Sequence, residues 1–328
     1  MIKKHILKTA YRLGGFRPFH LAVRHKVLIL TYHRFSSDIQ PLKVSADEFY
    51  QHLKYLKKIA NVVSLAEVVE AVTYGKPLPP NATAITIDDG YRDAFEVAFP
   101  LLREFCFPAT LFVVTDFVDG NCWLWTDLMR FILLNADSSL REIDLDGEVI
   151  KLEIGSEWQR LETAQRINTR LKRVANNVKD DMIGQIALQL GVEIPAAPTE
   201  QYAPITWDQA LEMDSNDLRI ESHSVTHPIL TNIDPSELDF QLHSSRERLE
   251  SVLNRGVRYF CYPNGALDDS VRSAVEKAGY AGAVTTRYGF AGRGADPFLL
   301  SRIDAPAAIE NFAQSVSGFE AIRHGLSQ

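Results

Sequence analysis

Three short stretches hold residue types that can do chemistry, and each follows an apolar run of strand length. In Thr86-Ile87-Asp88-Asp89-Gly90 two carboxylates stand side by side. Buried neighbouring carboxylates repel each other and resist leaving water. A divalent cation removes that difficulty, because one carboxylate ligates it and the other stays free to move a proton. Taken alone, the pair reads equally as a helix N-cap, where the helix dipole favours Asp. In Ser222-His223-Ser224-Val225-Thr226-His227-Pro228 two imidazoles lie four residues apart, in a polar stretch that Pro228 marks as a loop. A lone histidine is most often a hydrogen-bonded core residue, but two just past a strand end suit a borderline cation such as zinc. In Tyr259-Phe260-Cys261-Tyr262-Pro263-Asn264-Gly265 a strand runs into strong turn chemistry. The free N–H groups of such a turn can donate to an oxyanion, although a plain loop uses the same residues. The Asp pair and the His pair together favour a metal centre.

The elements around these stretches repeat with a clear rhythm. Seven apolar runs of strand length recur: Val27–Thr31, Ala84–Ile87, Ala109–Val114, Leu218–Glu221, Arg258–Tyr262, Ala281–Thr285 and Leu299–Ile303, with Val62–Leu65 a weaker eighth. Several are apolar at consecutive positions, as strands covered on both faces are. Helical spacing fills the gaps. Ser45 and Glu48 form a capping-box signal ahead of Phe49, Leu53 and Leu56. Pro100 must kink or divide the segment from Tyr91 to Phe105. Strands alternating with helices predict an α/β fold, a distorted parallel (β/α)7-8 barrel whose strand C-terminal ends form the active face.

One stretch, about 116–206, breaks the rhythm. Asp146-Gly147 reads as a hairpin turn, and Leu161, Ala164, Ile167, Leu171, Val174 and Val178 as one long amphipathic helix. We read an insertion on the barrel, either a lid over the site or a helical layer without contact to substrate. The division is then a basic N-terminal helix at 1–26 and a barrel domain at 27–328 carrying the insertion.

The net charge of −7 argues against nucleic acid as a partner. Three cysteines, Cys106, Cys122 and Cys261, form no metal-binding spacing and read as reduced thiols, which favours a cytoplasmic location. Lys3, Lys4, Lys8, Arg12, Arg17, Arg24 and Lys26 all precede the first acidic residue, Asp38. Ile2, Ile6, Leu7, Ala10 and Leu13 form a stripe on this basic helix. It either packs on the domain or makes a peripheral contact with the inner face of a membrane.

With the three stretches in this order, the chain resembles the polysaccharide deacetylases of the NodB-homology type, carbohydrate esterase family 4. The family's Thr-Phe-Asp-Asp-Gly motif reads here as Thr86-Ile87-Asp88-Asp89-Gly90, its paired-histidine motif as His223 through His227, and its aromatic-Pro-x-Gly turn as Tyr262-Pro263-Asn264-Gly265. The likeness runs from about Val27 to Ile303, apart from the insertion. It implies that Asp89, His223 and His227 hold a divalent cation, with zinc expected, that Asp88 is the base, and that the Asn264 N–H is the oxyanion donor. The chain departs from the family's form in two respects. No arginine stands in register at the third motif, since Arg258 lies earlier on the strand, so Arg302 is the candidate to orient Asp88. No late motif supplies a general-acid histidine, because His324 lies in the C-terminal tail. His33 is the substitute candidate, with a structural hydrogen bond as its other reading. Tyr262, Pro263 and Trp207 are candidate sugar contacts, Trp207 equally a core residue. The expected activity is metal-dependent removal of N-acetyl groups from an amino-sugar glycan or its precursor. The alternatives are deformylation or deacylation of a lipid-linked sugar, and a catalytically silent carbohydrate-binding barrel.

Overall fold

The computed structural model describes residues 2–137, 139, 142–145, 147–292 and 294–323. Seven parallel strands carry the architecture: β1 Leu28–Tyr32, β2 Ala82–Ile87, β3 Ala109–Val113, β4 Leu218–Ser222, β5 Tyr259–Cys261, β6 Gly282–Tyr288 and β7 Leu300–Asp304. They pair in the spatial order β1-β7-β6-β5-β4-β3-β2, and β2 returns to β1 with Leu30 opposite Ile85, which closes a barrel. The weaker eighth run yields only Asn61–Val62, paired with the start of β2. Every residue of β1, β2 and β3 is buried, as the unbroken apolar runs predict for a sheet covered on both faces.

Successive side chains on a strand point to opposite faces, and the core divides accordingly. Leu28, Leu30, Ile85 and Ile87 pack with helix residues such as Phe49 and Leu53. Ile29, Ala84, Phe112, Cys261, Val284 and Leu300 belong to a second cluster. The capping box forms: Ser45 Oγ accepts the Glu48 N–H, and Glu48 accepts the Ser45 N–H at 2.9 Å, opening helix Ala46–Ile59. Pro100 does divide its segment, since a π-helical turn at Ala94–Ala98 precedes helix Phe99–Phe105.

Between Val118 and Thr206 the chain leaves the barrel. Helix Trp125–Asn135, an antiparallel pair Glu142–Leu145 and Glu148–Lys151, and helices Glu157–Leu171 and Asn176–Gln189 enclose a separate apolar cluster, including Met129, Ile132, Leu145, Ile167 and Ile186. Asp146, half of the expected hairpin turn, lies outside the described residues. The single long helix expected from Leu161 to Val178 is two helices, broken at residues 172–175. At the N-terminus, helix Ile2–Arg12 packs against helix Ile309–Val316, with Leu7 and Ala10 half-buried and Ile6 and Leu13 exposed; the Ile2 side chain and His324 lie outside the described residues. No described helix is long and apolar enough to cross a membrane. All three cysteines are free thiols.

His52, on helix Ala46–Ile59, gives the fold a pH dependence. Its ring is buried and stacked on Phe312, with centroids 3.9 Å apart. Nε2 lies 2.9 Å from the Ala307 carbonyl, which can only accept, so Nε2 carries the proton. Burial pushes the imidazole down to about 4 from its ordinary 6.5. The unfolded chain therefore binds a proton that the folded chain refuses, and stability falls as pH drops through that window. The urea-unfolding advantage of wild type over His52→Gln should shrink by about 2–3 kcal/mol between neutral pH and pH 4. An advantage that does not change with pH would show that His52 does not titrate in this way.

Candidate metal centre and active-site cleft

Several strands deliver their C-terminal ends to one mouth, and the backbone there is bent out of regular conformation. Asp89, Ser224, His227 and Asn264 have φ of 80°, 71°, 59° and 55°, a left-handed region that costs non-glycine residues of order 1–3 kcal/mol each. Asp88 and Asp89 follow β2 directly, and the Gly90 carbonyl after them takes the Ile205 N–H at 2.9 Å. Past β4, Ser224 Oγ accepts the His227 N–H at 3.0 Å. Gln241 Oε1 accepts the N–H groups of Val225 and Thr226, each at 3.0 Å, tying the loop to helix Pro235–Leu253. Past β5, Gly265 has φ 67°, and a Cβ there would lie 1.9 Å from Thr286 Oγ1. Only glycine closes that turn.

These bends aim three side chains at one point. Asp89 Oδ1 lies 3.5 Å from His223 Nε2 and 3.7 Å from His227 Nε2, and the three residues are buried. Donor atoms held at about 2.1 Å from a shared tetrahedral centre stand about 3.4 Å apart, so the spacing fits a small divalent ion. The chemistry of the donors fits too. His223 Nδ1 donates to the Cys261 carbonyl at 2.7 Å, which fixes the ring with Nε2 facing Asp89. Burial opposes charge on this imidazole, yet Cys261 and the hydrogen bond with Asp89 hold it well above its ordinary value, so a bound cation would take the place of the Nε2 proton. Burial and the neighbouring His223 push His227 down to about 3, so its imidazole is neutral. Burial opposes charge on Asp89, yet the hydrogen bond with His223 and the surrounding imidazoles hold its carboxyl well below the usual range. His227 Nδ1 has no partner among the described residues, unlike its counterpart in His223.

The second carboxylate is clamped beside the first. Arg302 donates from Nη1 to Asp88 Oδ1 at 2.8 Å and from Nη2 to Oδ2 at 2.7 Å, with both residues 2% exposed. Arg302 is itself fixed by the Thr285 carbonyl at 2.9 Å and Thr86 Oγ1 at 3.0 Å. Burial alone would raise the Asp88 carboxyl, but the Arg302 charge and hydrogen bonds hold it below the ordinary carboxylate value. Asp88, His223 and Cys261 also lie close enough to be read as a ligand set. That set is the poorer one, because Asp88 is engaged by Arg302 and burial raises the Cys261 thiol, keeping it protonated. His33 Nε2 stands 3.8 Å from Asp88 Oδ2 with its side chain 48% exposed, at the rim of the mouth.

A cleft of about 790 Å³ opens over these groups. Asn264 lines it, and the turn's own bonds, Gly265 N–H to Tyr262 and Ala266 N–H to Pro263, leave the Asn264 N–H unused by the turn. The three expected sugar contacts fare differently from the metal set. Tyr262 borders the floor, but its ring is fully buried and its hydroxyl donates to the Phe298 carbonyl at 3.1 Å. Pro263 is buried and does not line the cleft. Trp207 is also elsewhere: its Nε1 donates to Asp119 at 2.7 Å and Arg248 covers its ring. The polar wall is instead built from residues no motif marks. Arg34 donates to Asp93 at 2.7 Å and lies 4.0 Å over the Tyr91 ring, and Asp127 accepts from Tyr91 and Arg130. Asp127, Arg130, Leu161, Asn168 and Lys172 come from the insertion, which is thus one wall of the cleft. The contact of Cys261 Sγ with Arg302 at 3.2 Å was likewise hidden in a sequence that shows only an isolated thiol.

Known proteins share the family pattern and the fold. A family model described as polysaccharide deacetylase matches residues 75–283. A putative polysaccharide deacetylase, YxkH of Bacillus subtilis (strain 168), is 22% identical over 279 residues, 85% of this chain and 71% of that protein. A poly-beta-1,6-N-acetyl-D-glucosamine N-deacetylase of Escherichia coli (strain K12) is 27% identical over 140 residues, 43% of this chain but only 18% of that protein. Among solved structures, the Streptococcus pyogenes deacetylase PplD in complex with acetate shares the fold at TM-score 0.60 and 20% identity, covering 89% of this chain and 98% of that one.

Proposed function

The chain belongs to the polysaccharide deacetylase family of hydrolases, and from that premise we propose that it removes N-acetyl groups from an amino-sugar glycan in a metal-dependent reaction. The observation that carries this reading is the convergence of Asp89, His223 and His227 beside an Arg302-clamped Asp88 at the foot of an open cleft. Asp89, His223 and His227 would hold the divalent cation, with zinc the expected ion for two imidazoles and a carboxylate. When bound, such a cation makes water more acidic and polarises the acetyl carbonyl.

The remaining work falls to the chain. Asp88 Oδ2 takes the proton of the attacking water, while Arg302 keeps the carboxylate ionised and pointed. The Asn264 N–H donates to the oxygen that gains charge as the carbonyl becomes tetrahedral. His33, at the rim on the Asp88 side, delivers a proton to the leaving amine.

A panel of N-acetylated and N-formylated oligosaccharides, assayed with and without chelator, tests the reading. Acetate should appear from the acetylated members, and release should stop on chelation and return with zinc. Formate alone would move the activity to deformylation. Tight binding of the acetylated members without release of either acid would point to a silent binding barrel.

A further inference from the structure

The cleft's inner wall carries more positive charge than its own partners neutralise. Arg34 and Arg130 already have acids beside them: half-buried Asp93 pairs with Arg34, and buried Asp127 with both. Lys43 and Lys172 line the same cleft, half-buried, and neither side chain has a hydrogen bond or ion pair among the described residues. Asp93 and Asp127 are taken up by Arg34 and Arg130, Asp88 and Asp89 at the foot of the cleft by Arg302 and the candidate metal centre, and the remaining lining acids, Glu157 and Asp304, are exposed. Removing two lysines from water beside guanidinium groups is unfavourable unless something negative joins them. Burial and then the nearby Arg34 lower the Lys43 ammonium, more than Asp93 and Asp127 raise it, and burial followed by Arg130 lowers Lys172. Composition does not explain the surplus, because the whole chain is acidic, at −7.

We propose that Lys43, Arg130 and Lys172 form a subsite for an oxyanion group on the glycan, a carboxylate or a phosphate, near the sugar whose acetyl group reaches Asp89, His223 and His227. The proposal rests on the deacetylase reading and adds the charge of the substrate. Arg130 is held rigidly by Asp127, so its guanidinium is a fixed anchor. Lys43 comes from the loop after β1 and Lys172 from the end of helix Glu157–Leu171, so barrel and insertion each contribute a charge to the same cleft.

Three length-matched sets of N-acetylglucosamine oligosaccharides test it: neutral, alternating with glucuronate, and joined through phosphodiesters. At least one charged set should exceed the neutral set in kcat/KM by about tenfold, equivalent to about 1.4 kcal/mol. Which charged set wins tells carboxylate from phosphate. The ratio should collapse in the Lys43→Ala, Lys172→Ala double variant and shrink with added salt. Equal or lower activity on both charged sets, or a ratio that survives the double substitution, would overturn the subsite. If no set releases acetate, the deacetylase reading fails separately. Calorimetric binding of the same three sets to wild type and to Lys172→Glu then decides: charge-selective binding lost in the variant supports the subsite, and binding indifferent to charge refutes it.

Discussion

Asp88→Asn is expected to lower turnover by about 10²–10⁴ while the cation content stays unchanged. The substitution keeps the side chain's size and one acceptor oxygen for Arg302, but it removes the negative charge that takes the proton. Asp88 lies outside the Asp89–His223–His227 set, and elemental analysis should show it. Turnover equal to wild type would remove Asp88 from the chemistry. Arg302 supplies an internal control. Replacing it with Met leaves the Asp88 carboxylate buried without its bidentate partner, a loss that costs about 3–5 kcal/mol of stability when a buried pair is broken. The sign on the pH profile also follows. Arg302 now holds the Asp88 carboxyl below its ordinary value, so the base stays ionised into acid. Without Arg302 the carboxyl protonates at a higher pH, and the acid limb of kcat/KM must move up in pH.

Much of the site was legible because its residues sit where short-range patterns are strongest. An apolar run that ends abruptly in Asp-Asp-Gly, or in two closely spaced histidines, announces both the strand and the cargo at its end. The barrel followed from the same runs, since β1, β2 and β3 are mostly apolar and are buried at every position. Arg302 could be proposed as the partner of Asp88 because the strand rhythm put both at strand ends, although 214 residues separate them.

The remaining features depend on contacts that local spacing does not encode. Arg34, Asp93, Asp127 and Arg130 form one network across the barrel loop and the insertion, and no period in the sequence links them. The break at residues 172–175 is silent because Val174 keeps the apolar phase of the preceding helix and packs on the insertion's own cluster. Tyr262 belongs to the third motif and Trp207 is an aromatic whose sugar-lining and core readings spacing does not separate. Folded, the Tyr262 ring is buried with its hydroxyl on the Phe298 carbonyl, and Trp207 is held by Asp119 away from the cleft. The insertion's place as a wall of the cleft, and with it the cationic surplus, emerges only once the chain is folded.

His223→Ala should empty the cation site, and activity should fall with it to the level of chelated wild type. Three donors converge there, and removing one leaves Asp89 and His227 as a two-point grip. His223 is also the donor whose orientation is most firmly set, through Nδ1 and the Cys261 carbonyl, so its loss removes the preorganised member of the set. His227 depends on its loop instead, held by Ser224 and Gln241, while its own Nδ1 has no partner among the described residues. Gln241→Ala should therefore weaken cation affinity by about 10–100-fold, the usual cost of losing support behind a ligand, where His223→Ala abolishes it. Inductively coupled plasma measurement on protein dialysed against limiting zinc separates the two. Full zinc content in His223→Ala would mean that the ion, if held at all, is held by other residues, and that the convergence of these three side chains serves the fold alone.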